Sequence, residues 1–411
     1  MQNVVVIGGG AAGLLAAGTA IRHGATVTVI EHMPRVARKV MITGKGRCNV
    51  TNSCTKEELL AAVTKNGRFL YSAFSAFDSS DTAELFEALG VPLKTERGNR
   101  VFPKSDKAAD IVDALKKYAK GAKILQASAK EILKENGRVS GVLCDDGTTV
   151  NADCVIVATG GCSYPLTGST GDGYILAKKL GHTVTNIEGS LVPLVAKEGF
   201  CSVLQGLSLK NVRFTVFKSG AKKPVFSEFG EMIFTHFGIS GPIVLSASAH
   251  MPMHLGEQYI ATIDLKPALS NEELDARLLR DFKKYSSRDF LNSLDDLLPK
   301  RLIGVIVKLS GIEPHKKVNE ITREERRKTV QLLKCLPLSI EGKRPVEEAI
   351  VTSGGINVKE IGPKDMQSKI VKGLYFAGEV IDVDAYTGGF NLQIAFSTGY
   401  LAGISAATDE E

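Results

Sequence analysis

Three short stretches carry residue types able to do chemistry. Residues 43–52 read TGKGRCNVTN: glycines, a lysine, an arginine, a cysteine and asparagines, with almost no apolar content. Such a run concentrates donors on a pliable backbone, as an anion-binding loop requires. Residues 8–13 give Gly8-x-Gly10-x-x-Gly13, and Glu31 follows 18 residues after Gly13. Gly8 permits a tight turn, Gly10 lets a pyrophosphate approach the backbone, and Gly13 lets a helix pack closely on a strand. Ala11 and Ala12 open that helix, whose free N–H groups and partial positive charge attract phosphate. Glu31 would accept hydrogen bonds from a ribose hydroxyl pair. The third stretch, Cys48 to Cys54, reads CNVTNSC. It could be a redox dithiol, or Cys48 could be a small buried thiol.

These groups need a scaffold. Val4-Val5-Val6-Ile7 reads as a strand buried on both faces of a parallel sheet. Thr26–Ile30 reads as the second strand, ending at Glu31. A glycine-rich turn between strand and helix, with the acid at the end of the next strand, is a specific dinucleotide-binding signal. The apolar N-terminal run is neither a signal peptide nor a membrane span. No basic segment precedes it, and Gly8-Gly9-Gly10 would break a spanning helix. We therefore expect a cytoplasmic protein with no membrane association.

Asp153–Gly161 ends a strand in Ala158-Thr159-Gly160-Gly161. It follows a meander read over 124–129, 138–143 and 148–151, with turns at Asn136-Gly137 and Asp146-Gly147. Gly373–Glu379 is a late strand ending in Gly378-Glu379, and Thr387-Gly388-Gly389-Phe390-Asn391-Leu392 opens an apolar helix. This order resembles the flavoproteins with two dinucleotide-binding folds. The resemblance implies FAD, with Ala129, Ala158, Thr159 and Gly160 beside the cofactor, Gly378 and Glu379 facing the ribityl phosphate, and Gly388, Gly389, Asn391 and Leu392 at the flavin pyrimidine.

TGKGRCNVTN (43–52), RVFPKSDKAADIVDAL (100–115), GSTGDGY (168–174), THFGISGPIVL (235–245), VTSGGINVKEI (351–361) and the stretch 373–399 together are similar to the aminoacetone-oxidase/BaiN-type flavoproteins. The resemblance spans nearly the whole chain. It implies an α/β fold: a Rossmann-like FAD domain, parallel sheet plus meander, interrupted by an insert. The FAD domain would comprise 1–190 and 341–411. The insert, 191–340, would hold a small β-barrel or sheet (191–265) and a helical part (270–338). Capping boxes at Ser270/Glu273 and Thr322/Glu325 predict helices near 271–285 and 322–335, with another over 288–310. The loop 38–52 would cross the cofactor. Arg38 and Lys39 would meet its pyrophosphate or adenosine side. Gly44, Gly46 and the backbone of Arg47, Cys48 and Asn49 would lie against the flavin, where N–H groups favour charge on the reduced ring.

The implied activity is FAD-dependent oxidoreduction, with hydride transfer at flavin N5. A small-molecule substrate would sit between FAD domain and insert, with NAD(P)H as transient donor because no second G-x-G-x-x-G is present. Tyr386 is the candidate proton donor; Tyr164, Thr167, His236 and Asp384 are further lining candidates. A flavin-dependent amine or alcohol oxidase using oxygen, and a tRNA-modifying flavoenzyme, are the alternatives. Residues 191–340 carry 22 Lys and Arg against 16 Asp and Glu, while the remainder is balanced. That surplus fits an anionic substrate, NADPH, an acidic partner or a solvated basic face. Its aromatics are not interleaved as a nucleic-acid platform needs, which speaks against nucleic acid. The seven scattered cysteines show reduced, intracellular usage, and no Cys/His doublets predict a metal. Oligomeric state is not legible.

Overall fold

The computed structural model describes residues 1–253 and 256–409. Two compact units emerge: Met1–Ser190 with Pro345–Glu411, and Leu191–Arg344.

The first unit is built on a parallel sheet. Its strands are β1 (Asn3–Ile7), β2 (Thr26–Ile30), β3 (Lys123–Leu125), β4 (Cys154–Val157) and β5 (Leu374–Phe376), in the spatial order β5-β4-β1-β2-β3. The β-branched runs suit this position, because a parallel strand is covered on both faces. Val4, Val5, Val6 and Ile7 are all buried. Two helices cover one another beside it: α1 (Ala11–Arg22) and α2 (Phe390–Ala407). Their crossing is close. A β-carbon on Gly399 would stand 2.5 Å from the Ala12 carbonyl oxygen, and one on Gly403 would stand 2.6 Å from that of Ala16. Small residues four apart therefore bring the C-terminal helix onto the N-terminal one, which explains why both read as apolar on every side. Among the described residues, no helix is long and apolar enough to cross a membrane.

Among the described residues the first unit also has two three-stranded antiparallel sheets and a two-stranded one, Glu188–Ser190 with Val351–Ser353. The meander comprises Ala129–Glu135, Arg138–Cys144 and Thr149–Asn151. Its first hairpin turns through Asn136 and Gly137, both with positive φ, as a type I′ turn requires. The stretch 124–129, expected as one meander strand, is divided. Ile124 pairs with Val29 at the edge of the parallel sheet, and the meander starts at Ala129. Periodicity could not separate them, because both pieces are extended. The other three-stranded sheet joins Thr51–Asn52, Arg100–Pro103 and Leu93–Glu96 and holds the end of the TGKGRCNVTN loop.

Among the described residues the second unit holds a closed six-stranded barrel, two short helices, Phe200–Val203 and Pro242–Ser248, and three longer ones, Asn271–Lys284, Lys300–Ser310 and Arg323–Lys334. Both expected capping boxes form: Ser270 with Glu273, and Thr322 with Glu325. The helix expected over 288–310 begins only at Lys300. Pro299 disfavours helical backbone at the residue before it, and the preceding segment makes only short turns, at Phe290–Asn292 and over 294–298. Gly230 lies inside strand Phe226–Thr235, next to a register shift in its pairing with the preceding barrel strand. The barrel's last strand, Leu336–Lys343, pairs Pro337 with Thr262, so the units divide at Arg344/Pro345 rather than at 340/341.

One buried polar group ties a loop of the first unit to β5. The His182 ring meets Phe376 edge-on at 4.9 Å. Its Nδ1 lies 3.2 Å from Glu360 and its Nε2 lies 2.9 Å from the Ser368 hydroxyl. Burial lowers the imidazole pKa below its usual 6.5, outweighing Glu360, which acts in the opposite direction. The sign follows. A base whose folded pKa is depressed contributes stability above its unfolded pKa and loses it as pH falls. Glu360 is also depressed, against its own desolvation, by Thr183 and His182. Wild type is therefore expected to lose stability as pH falls below about 6.5. His182→Gln should flatten that slope in chemical denaturation at pH 5 to 7. An unchanged slope would remove His182 from the account.

Candidate active site

A cavity of about 610 Å³ opens in the first unit where α1, the loop 37–49, the end of β4, the end of β5 and the N-terminus of α2 converge. Of the expected residues, Gly8, Gly10, Ala11, Ala12, Glu31, Arg38, Lys39, Gly44, Arg47, Asn49, Ala129, Ala158, Thr159, Gly160, Gly378, Glu379, Tyr386, Gly388, Gly389, Asn391 and Leu392 line it. Three do not. Gly13 faces β1 and serves packing. Gly46 turns the loop outside the cavity. Cys48 is fully buried in the hydrophobic core.

The cavity is made for a nucleotide. The first N–H groups of α1 have no partner within the helix, and Gly10, Ala11 and Ala12 present them to the space. A β-carbon on Gly10 would meet nothing within 4 Å, so the backbone is bare there. Two buried side-chain oxygens on the wall, Asn49 Oδ1 and Thr159 Oγ1, have no hydrogen-bond partner in the protein. A buried polar atom left unpaired costs about 1–3 kcal/mol. These are the features a dinucleotide would satisfy.

Glu31 is held by its own chain. Its carboxylate accepts from Gly9 N–H and Met33 N–H, both at 2.8 Å. This fixes the acid at the end of β2 with lone pairs still facing the cavity. Lys39 is also engaged, donating to Glu379 at 2.7 Å and to Ser163 Oγ at 2.6 Å. Glu379 accepts from the Thr352 N–H at 2.8 Å as well. Burial would push the Glu379 carboxyl up, but Lys39 and the Thr352 and Ser163 donors together hold it below the usual carboxylate range. Lys39 is thus a counter-ion of Glu379 rather than a free cation. Sequence reasoning missed Ser163 and Thr352, because nothing local signals partners so distant in the chain.

The opposite end of the cavity centres on Tyr386. Its N–H donates to the Ala62 carbonyl at 3.0 Å, and its own carbonyl accepts from Asn391 Nδ2. Asn391 also closes a pair of bonds with the Ala385 backbone. Tyr386 therefore rides on a turn pinned to the first turn of α2. Gly389 caps that helix with φ +99, and a β-carbon there would stand 2.3 Å from the Thr51 carbonyl oxygen. Arg100 and Phe102 line this end too. They were not assigned from sequence, because their placement depends on the pairing of Asn52 with Arg100. Of the further lining candidates, Thr167 lines the cavity and Tyr164 does not. His236 belongs to the second unit. Asp384 is buried and turned away, accepting from Ser190, Thr64 and Ser353.

The dithiol reading fails on burial. Removal from water pushes the Cys48 thiol up to about 12 and the Cys54 thiol to about 11. At pH 8 the Cys48 thiolate would be about one part in ten thousand, and nucleophilic thiols require the anion. Exposed Cys335 is expected to react with a thiol reagent at pH 8 long before Cys48, as peptide mapping would read. Prompt labelling of Cys48, or a Cys48–Cys54 disulfide, would contradict this.

A glycine turn feeding a helix N-terminus, an acid at the next strand's end, and a second helix aimed at the far end of one cavity define a FAD-binding Rossmann fold. Residues 2–405 match the family model of the HI0933-like protein Rossmann domain, and the chain belongs to that family. It is 31% identical over 416 residues to the 3-dehydro-bile acid delta(4,6)-reductase of Clostridium scindens, covering 99% of both chains. It is 33% identical over 413 residues to the ribosomal RNA dihydrouridine synthase of Haemophilus influenzae, covering 98% of this chain and 97% of that one. In fold it is similar to 3-ketosteroid delta1-dehydrogenase from Sterolibacterium denitrificans, with a TM-score of 0.53 at 14% identity and 100% coverage of both chains. The protein is a FAD-dependent oxidoreductase.

Proposed function

We propose that the protein uses NAD(P)H to saturate a carbon–carbon double bond conjugated with a carbonyl in a small molecule. The names of both relatives describe this one chemistry. A 3-dehydro-bile acid reductase acting at positions 4 and 6 removes unsaturation joined to a ketone, and a dihydrouridine synthase saturates a ring double bond beside a carbonyl. Bound FAD would supply hydride transfer at N5. Gly10, Ala11 and Ala12 would hold the pyrophosphate at the α1 N-terminus, Glu31 the adenosine ribose, and Glu379, poised by Lys39, the ribityl chain. Tyr386 gives the proton that the carbon next to the carbonyl requires.

The observation that carries this reading is the pairing of a phosphate-ready helix terminus with a pinned tyrosine at the far end of the same cavity. The test is anaerobic incubation of the FAD-loaded protein with NADPH or NADH and a 3-keto-4-ene steroid. The expected product is heavier by two hydrogens, with one NAD(P)H oxidised per product. Oxygen consumption driven by amines or alcohols, with no enone reduction, would instead support an oxidase. The name of the Haemophilus influenzae relative supports a second acceptor, uracil in RNA, and unmodified ribosomal RNA belongs in the same assay with nucleoside mass as readout.

A further inference from the structure

Three cations line the cavity beside Tyr386, Arg47, Arg100 and Lys45, and among the described residues only Arg47 of the three forms ion pairs with carboxylates. Arg47 donates to Asp106 at 2.8 Å, forms an ion pair with Glu96, and stacks on Phe102 with its guanidinium carbon 4.2 Å from the ring centroid. Lys94 completes that cluster through Asp106 at 2.7 Å. Two positive and two negative groups thus balance. Arg100 and Lys45 stand outside the balance. Arg100 Nε donates only to the Arg97 carbonyl, at 3.0 Å. Among the described residues no carboxylate forms an ion pair with either side chain, and both are exposed.

Their placement is constrained. Arg100 pairs across the sheet with Asn52, whose Nδ2 donates to the Gly388 carbonyl at 3.0 Å. Phe102, two residues on and so on the same sheet face, lies 3.4 Å from where a Gly44 β-carbon would stand. The strand carrying Arg100 and the loop carrying Lys45 therefore meet beside the turn that holds Tyr386. Lys45 also occupies the left-handed region, φ +60, between Gly44 at +57 and Gly46 at +83. That geometry costs a lysine about 1 kcal/mol that glycine would not lose. A strained non-glycine residue kept at a cavity mouth points to use of its side chain.

We infer that Arg100 and Lys45 form a receptor for an anionic oxygen group, phosphate or carboxylate, on the small molecule that meets the flavin ring. The pyrophosphate of FAD is served elsewhere, at the α1 N-terminus, so these two cations are left for the donor or the acceptor. The inference deepens the reductase reading and rests on it for the identity of the reaction, though not for the anion site itself.

The experiment uses the FAD-loaded protein as wild type, Arg100→Gln, Lys45→Gly and the double variant. Lys45→Gly removes the charge and relieves the backbone, so loss of fold cannot imitate loss of binding. Inorganic pyrophosphate is titrated into each oxidised protein while the flavin difference spectrum is followed. Wild type should show a saturable change, weakened about tenfold in each single variant and abolished in the double variant, with Arg100→Lys restoring part of it. The source of the anion is read from reduction rates. If it is the donor, Arg100→Gln weakens NADH and NADPH about tenfold and leaves phosphate-free dihydronicotinamide riboside unchanged. If it is the acceptor, all donors are unaffected, and KM rises for a steroid enone carrying a carboxylate but not for its methyl ester. A double variant that binds pyrophosphate like wild type overturns the inference. A wild type that binds pyrophosphate but is not bleached by either nucleotide retires the NAD(P)H reading and leaves the anion receptor standing.

Discussion

Tyr386→Phe is expected to slow acceptor reduction by about 10²–10⁴, the usual contribution of a positioned general acid. The rate at which NAD(P)H bleaches the flavin should not change, because that half-reaction needs no proton from the protein. The two half-reactions can therefore be separated by stopped flow. The backbone of Tyr386 is fixed by Ala62 and Asn391, so removing one hydroxyl leaves the turn in place. The flavin spectrum and FAD content should be those of wild type. Loss of both half-reactions together would mean that the turn had been disturbed. Retention of both at wild-type rates would take the proton donor away from Tyr386.

The second large effect separates packing from binding within the glycine fingerprint. A β-carbon on Gly13 would stand 1.9 Å from the Gly8 carbonyl oxygen and 3.1 Å from its carbon. The obstacle is backbone, so no rotamer relieves it, and α1 must move off β1. Gly13→Ala is expected to lose FAD and to destabilise the apoprotein by about 3 kcal/mol, at the upper end of overpacking costs. Gly10→Ala should behave differently. Gly10 has φ −82 and open space where its β-carbon would go, so the apoprotein should melt as wild type does. The added methyl group instead enters the cavity, where on the proposed reading the pyrophosphate would approach. FAD affinity should fall at least tenfold, about 1.4 kcal/mol. Calorimetry of both apoproteins with FAD titration checks the pair. Equal destabilisation by both substitutions would contradict the division of labour.

Much of the nucleotide end was legible because its signals are local. The run Val4–Ile7, the three glycines and Glu31 lie within one strand-helix-strand unit, so spacing alone carries their geometry. What the sequence could not disclose depends on distant partners. Lys39 reads as a free cation until Glu379, 340 residues away, is found 2.7 Å from its ammonium. Cys48 sits in a polar, glycine-rich stretch, yet its side chain points into the core, because a left-handed backbone at φ +58 turns it inward. Arg100 stood in a stretch noted for resemblance but gained meaning only from its register opposite Asn52. In the second unit the capping boxes were readable, since they are satisfied within four residues. The interruption at Pro299 was visible in principle, and the apolar residues on either side concealed it.

On the proposed function, this cavity carries a flavin that takes reducing equivalents from NAD(P)H and passes them to an activated double bond. The most direct test is an anaerobic stopped-flow experiment on the FAD-loaded protein. NADPH or NADH is mixed first and a steroid enone second, with absorbance followed in the main visible flavin band. Rapid bleaching by at least one nucleotide, and recovery of the oxidised spectrum when enone is added, are expected. A flavin that dithionite can reduce, but that neither nucleotide bleaches and no enone reoxidises, would contradict that function.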